Sequence, residues 1–120
     1  MFALSPATRV FLLPGTTDMR KGFEGLRSLA EHRLKQDPLS GHLFVFCNRN
    51  GNRLKVLFWD GTGLWVCAKR LEGGRLDWPS EGEPVQEYTT QQLTMLLDGI
   101  VLKQAVKKTW YRRSPHDDKK

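Results

Sequence analysis

The sequence predicts an α+β domain: an antiparallel β-meander of four to five strands with one helix packed on a face and a C-terminal helix. Three observations carry this expectation. Three runs rich in Val, Phe and Trp (His42–Cys47, Arg53–Trp59 and Leu64–Arg70) are separated by short turn-forming segments. The stretch Lys21–Leu34 places Phe23, Leu26, Ala30 and Leu34 near helical spacing. Thr89-Thr90-Gln91-Gln92, followed by Leu93, Leu96 and Leu97, reads as a capped amphipathic helix start.

Taken in order, Arg9–Leu13 is a short strand ended by Pro14 and Gly15. Thr16, Thr17 and Asp18 offer side chains able to cap the first helix, which Gly22 and Gly25 weaken near its start. Asp37, Pro38, Ser40 and Gly41 form a loop. Asn50-Gly51 is a strong hairpin signal, expected to place both residues at positive φ. Asp60-Gly61-Thr62-Gly63 makes a second tight turn. Glu72-Gly73-Gly74 leads into a fourth meander strand, Arg75–Trp78, stopped by Pro79. Ser80–Tyr88, acidic and containing Pro and Gly, reads as a loop, and Gly99 as the end of the last helix.

The turns also predict register. With Asn50 and Gly51 at one tip, Cys47 lies opposite Leu54 and Val45 opposite Val56; with Gly61 and Thr62 at the next, Phe58 lies opposite Trp65 and Val56 opposite Cys67. One face then carries only apolar side chains and is expected to lie under the first helix. The other mixes Phe44, Phe46, Leu57, Trp59, Leu64 and Val66 with Arg53, Lys55 and Arg70. Cys47 and Cys67 share a face but sit two strands apart, about 10 Å, too far for a disulfide.

A chain of 120 residues suggests one domain, 39% apolar and 27% charged, as in an ordinary soluble protein. No apolar run approaches the length of a membrane span, and the N-terminus lacks a secretory pattern, so a cytoplasmic location is expected. Two cysteines without metal-ligand spacing agree with a reducing compartment. The net charge of +6 is unevenly placed. Residues 1–102 hold 12 Lys/Arg against 11 Asp/Glu, and residues 103–120 hold 7 against 2. This divides the chain into a nearly neutral domain, 1–102, and a basic C-terminal tail, 103–120, expected to be flexible. Lys107, Lys108, Arg112 and Arg113 of the tail flank Trp110 and Tyr111, a mixture suited to phosphates and exposed bases, although a charge run on a tail is equally a solvated end.

Within the body, Arg20 and Lys21 stand beside a helix start, where the helix dipole does not ask for cations, and they suit a phosphate. The alternative is that Asp18 caps the helix while both cations face solvent or pair with Glu24. Arg53, Lys55, Trp59 and Arg70 on the mixed face form a second candidate nucleic-acid surface, set against cover by a second layer or a partner protein. Catalysis finds no support. Asp18, Asp60, Asp77 and Asp98 are scattered, and His32, His42 and His116 show no ligand spacing, so no catalytic residue, metal or cofactor is assigned.

Several segments together carry a resemblance: Pro14-Gly15-Thr16-Thr17-Asp18-Met19-Arg20-Lys21-Gly22-Phe23-Glu24-Gly25-Leu26; Gly41–Phe46; Arg53-Leu54-Lys55-Val56-Leu57-Phe58-Trp59-Asp60-Gly61-Thr62-Gly63-Leu64; Lys69–Arg75; Trp78-Pro79; and Leu96–Ile100. The chain resembles the TnpB accessory protein of the insertion-sequence sixty-six family of bacterial transposons over roughly residues 8 to 101. Cys47, where a cation is more usual, and the stretch Trp65–Ala68 depart from the pattern, and the tail lies beyond it. The resemblance implies a non-catalytic accessory factor in DNA transposition, working beside a separate, larger transposase. Its implied partners are DNA and the other proteins of the element, with no membrane, and self-association stays open. The alternative is a protein–protein adaptor that docks on the transposase through the apolar-rich sheet face without touching DNA.

Overall fold

The computed structural model describes residues 5–98. Five strands and two helices occur in the order β1 (Val10–Leu12), α1 (Phe23–His32), β2 (Leu43–Cys47), β3 (Arg53–Trp59), β4 (Leu64–Arg70), β5 (Gln86–Tyr88) and α2 (Thr90–Leu97). They form one sheet of order β4-β3-β2-β1-β5, so the expected α+β architecture holds.

The two hairpins keep the predicted register: Cys47 pairs with Leu54, Val45 with Val56, Phe58 with Trp65 and Val56 with Cys67. The first turn achieves this differently from expectation. Only Gly51 has positive φ, at 71°, and the Asn50-Gly51 tip is not a two-residue turn with both positions left-handed. Instead the Asn48 Oδ1 accepts the backbone N–H groups of Asn52 and Arg53, while Asn48 Nδ2 donates to Asn52 Oδ1. The loop stays symmetric about the same midpoint, so the register does not slip. At the second tip Gly61 takes φ 104°, and Asp60 Oδ1 accepts from Thr62 N, Thr62 Oγ1 and Gly63 N.

Expectations about the strands are corrected. The meander has three strands, not four: Arg75–Trp78 forms no ladder, and Leu76 N donates to Gly51 O at the hairpin tip instead. Part of the expected loop Ser80–Tyr88 is β5, which pairs antiparallel with β1. β1 itself runs parallel to β2, joined to it through α1. Parallel neighbours need such a crossover, and it lays the helix on one face of the sheet.

That face is the mixed one. Leu26, Ala30 and Leu34 pack on Phe11, Phe44, Phe46 and Leu57, all buried. The wholly apolar face, expected beneath the first helix, is covered by α2 through Leu93 and Leu96 and by Leu71 and Leu76 of the following loop. Both faces are therefore occupied, which is why β2 is buried along its whole length without alternation. The α1 start also differs: its N-cap is Gly22, with no side-chain cap. For α2 the expected cap is present, as Thr89 Oγ1 accepts from Gln92 N while Gln92 Oε1 accepts from Thr89 N. The expected helix end at Gly99 and the tail lie outside the described residues.

Candidate nucleic-acid interface

Several basic side chains of the body gather where β2 turns into β3 and β4 ends. The register sets Arg53 opposite Arg70 and Lys55 opposite Ala68 on one face, while Lys69, opposite Leu54, turns to the other. The loop before α1 reaches this end of the sheet because Thr17 N donates to Cys47 O, the last residue of β2. It brings Arg20 and Lys21 alongside, and Lys55 Nζ donates to the Lys21 carbonyl at 3.0 Å. Two open clefts flank the junction. One, of about 480 Å³, runs between Met19, Arg53, Lys55, Lys69, Arg70 and Glu72. The other, of about 580 Å³, lies between Thr16–Met19 and the hairpin residues Asn48–Asn50, Asn52 and Arg53.

The acids here are few and engaged. Arg20 grips Asp18 through its guanidinium and its backbone N–H, with the shortest contact at 2.7 Å. Those bonds hold the Asp18 carboxyl well below the usual carboxylate range and raise the guanidinium in turn. Arg70 pairs with Glu72 at 3.2 Å. Arg49 and Arg53 are exposed and make no ion pair among the described residues. Lys69 Nζ donates to the Leu97 carbonyl at the end of α2.

Of the sequence-predicted residues, Arg20, Lys21, Arg53, Lys55 and Arg70 are thus brought together. Trp59 is not: it ends β3 at the far side of the sheet, about 20 Å away, half-buried opposite Leu64. The open platform of aromatics and cations is also corrected, because α1 covers Phe44, Phe46 and Leu57 and leaves the cations as a rim. The same burial removes the flat sheet face as an adaptor surface. Lys107, Lys108, Arg112 and Arg113 lie outside the described residues. Sequence reading passed over Arg49, which stands in the hairpin loop, and Lys69, whose neighbour Arg70 the register already placed against Arg53.

Among the described residues the acids singled out in the sequence have local roles. Asp18 is tied to Arg20 and Asp60 to its own turn. Among the described residues no three His, Cys, Asp or Glu side chains are grouped to hold a metal ion, and no helix is long and apolar enough to cross a membrane. Both cysteines are thiols; burial pushes Cys47 up to about 12 and raises Cys67 as well.

Comparison with known proteins gives the arrangement a context. Residues 8–107 match the family described as IS66 Orf2 like protein. The match runs past Leu102, so the shared region extends beyond the roughly 8–101 read from the sequence and takes in the first residues of the basic tail. An uncharacterized protein of Sinorhizobium fredii, y4hO, is 45% identical over 92 residues, covering 77% of this chain and 80% of the relative. A second from the same organism, y4jC, is 29% identical over 100 residues, covering 83% and 86%. No solved structure matches.

Proposed function

Because the chain belongs to the IS66 Orf2-like family, we propose that it is a non-catalytic accessory factor in DNA transposition that holds DNA through the basic end of its sheet and helps assemble the complex with the element's transposase. The observation that carries the DNA part is the exposed pair Arg49 and Arg53. They stand without acidic partners among the described residues, beside Lys55 and Arg70 of the same sheet face and the loop that carries Arg20 and Lys21. Cations spread along a ridge between two shallow clefts suit the phosphate backbone of a duplex. Affinity of this kind comes from counterion release and carries no base preference of its own. The tail cations Lys107, Lys108, Arg112 and Arg113 add to the same electrostatic pull.

The test is an electrophoretic shift with duplex DNA from the transposon end, followed across salt. Binding is expected to weaken linearly on a log–log scale. The pair Arg49→Ala with Arg53→Ala should reduce the slope by about 2, close to one per phosphate contact. A chain truncated after Leu102 separates the tail's share from the body's. No shift at any salt, alongside co-purification with the transposase, overturns the DNA reading and leaves the adaptor reading.

A further inference from the structure

β4 is an outer strand of the sheet, seven residues long, and its free edge has a definite pattern. Asp60 N donates to Gly63 O at 3.0 Å, which makes that pair hydrogen-bonded. Antiparallel alternation then directs the backbone groups of Trp65, Cys67 and Lys69 toward β3. The N–H and C=O groups of Leu64, Val66 and Ala68 point away from the sheet, with no partner among the described residues. Such an edge is a template for another strand. This one is apolar through most of its length, and Trp65 stays 44% exposed, its ring stacked 6.1 Å from that of Phe58.

The charge along this edge is polar from end to end. At the start stands the Asp60 carboxylate, fixed by three donors of its own turn and by the Trp65 indole. At the finish stand Lys69, bonded to the Leu97 carbonyl, and Arg70, paired with Glu72, beside Arg53, which makes no ion pair among the described residues, so that cations outnumber acids there. We propose that β4 pairs antiparallel with β4 of a second copy of this chain, about a two-fold axis passing at Cys67. Full overlap then sets Leu64 against Arg70 of the second copy, Trp65 against its Lys69, Val66 against its Ala68, and Cys67 against its Cys67. The acidic end of each strand meets the basic end of the other, with Lys69, whose ammonium donates to the Leu97 carbonyl of its own chain, across from the exposed Trp65. A parallel arrangement sets Lys69 and Arg70 against Lys69 and Arg70. An acidic peptide leaves Asp60 facing like charge. The antiparallel pair alone satisfies both ends, and closed two-fold symmetry is the commonest form of self-association.

Because its own backbone groups turn toward β3, Cys67 falls at a non-hydrogen-bonded position across the axis. There the Cα atoms approach to about 4.5 Å, within reach of a disulfide. This gives a direct readout. The full chain should sediment at twice its 13.8 kDa mass. Oxidation with diamide should link the two copies through Cys67, persisting in Cys47→Ser and absent in Cys67→Ser. Ala68→Pro removes an outward N–H and leaves the β3–β4 bonds intact, so it should give a folded monomer. If that variant does not fold, Lys69→Asp serves in its place and should weaken the dimer about tenfold or more. A wild-type monomer at about 100 µM overturns the proposal. So does a dimer that does not cross-link through Cys67, or one unchanged by folded Ala68→Pro or by Lys69→Asp.

Discussion

The indole N–H of Trp65 donates to Asp60 Oδ2 at 2.7 Å, closing the β3–β4 turn from the side while Asp60 Oδ1 closes it from within. The carboxylate is held far below its usual range by the Thr62 backbone N–H first, then by Trp65, Gly63 and the Thr62 hydroxyl. A depressed folded-state pKa contributes stability that is present above the unfolded value of about 3.9 and is lost as pH falls through the folded one. Asp18 and Glu87, lowered by Arg20 and Arg9, act in the same direction. Thermal unfolding is therefore expected to be flat near neutrality and to drop steadily below pH 4. Asp60→Asn should flatten part of that acid limb, as read by circular dichroism melts across pH.

Phe46 lies fully buried between the sheet and α1, and Leu93 fully buried between the sheet and α2. Phe46→Ala should cost about 3–5 kcal/mol and Leu93→Ala about 2–5 kcal/mol in denaturant unfolding. The sites lie on opposite faces, so the double variant should show the sum within about 0.5 kcal/mol.

Gly51 has φ 71° and its Cα faces the Leu76 carbonyl; a Cβ there would lie 2.9 Å from that oxygen, which is backbone and cannot swing aside. Gly51→Ala combines left-handed strain with that clash and should destabilise by about 2 kcal/mol or more. Gly61, at φ 104° with open space around it, carries the strain alone and should cost less when changed to Ala. Equilibrium unfolding of the two variants makes the comparison.

The Thr17 hydroxyl is buried with no hydrogen-bond partner among the described residues. Val has the same shape without the unsatisfied group. Thr17→Val should stabilise the fold by about 1 kcal/mol, measured as a higher urea midpoint at unchanged slope.

Asp18 neutralises Arg20 at the proposed DNA surface. Asp18→Asn keeps an oxygen for the Arg20 backbone N–H and removes the charge. Its affinity for duplex DNA should rise and its salt dependence steepen, while Arg20→Ala should move both the other way.

Residues with strong local chemistry were the legible ones. Gly51 and Asp60 marked the turns, although the closure by Asn48 was not visible, and the turns determine every pairing among β2, β3 and β4. Thr89 and Gln92 announced α2 by their spacing. What stayed hidden depends on partners distant in sequence. Val10–Leu12 has no alternation to show that it lies between β2 and β5, and Gln86–Tyr88 is too polar and short to read as a strand. The face that α1 covers follows from the parallel crossover, which no local pattern reveals. Asp18 looked like a helix cap, but its oxygens are taken by Arg20. The basic cluster was half visible: Arg53, Lys55 and Arg70 follow from register, whereas the approach of Arg20 and Lys21 needed the bond from Thr17 to Cys47.

β1 is flanked on one side by β2 and on the other by β5, which pairs Val10 with Tyr88. During synthesis this first strand leaves the ribosome long before either neighbour exists, and its outer edge is sealed only when nearly the whole body has been made. Folding must therefore wait on a contact between distant parts of the chain, which slows it and lengthens the time an apolar strand edge is bare. A product that stops before Gln86 keeps that edge open permanently, so prematurely ended chains should aggregate instead of lingering as competitors of the complete protein.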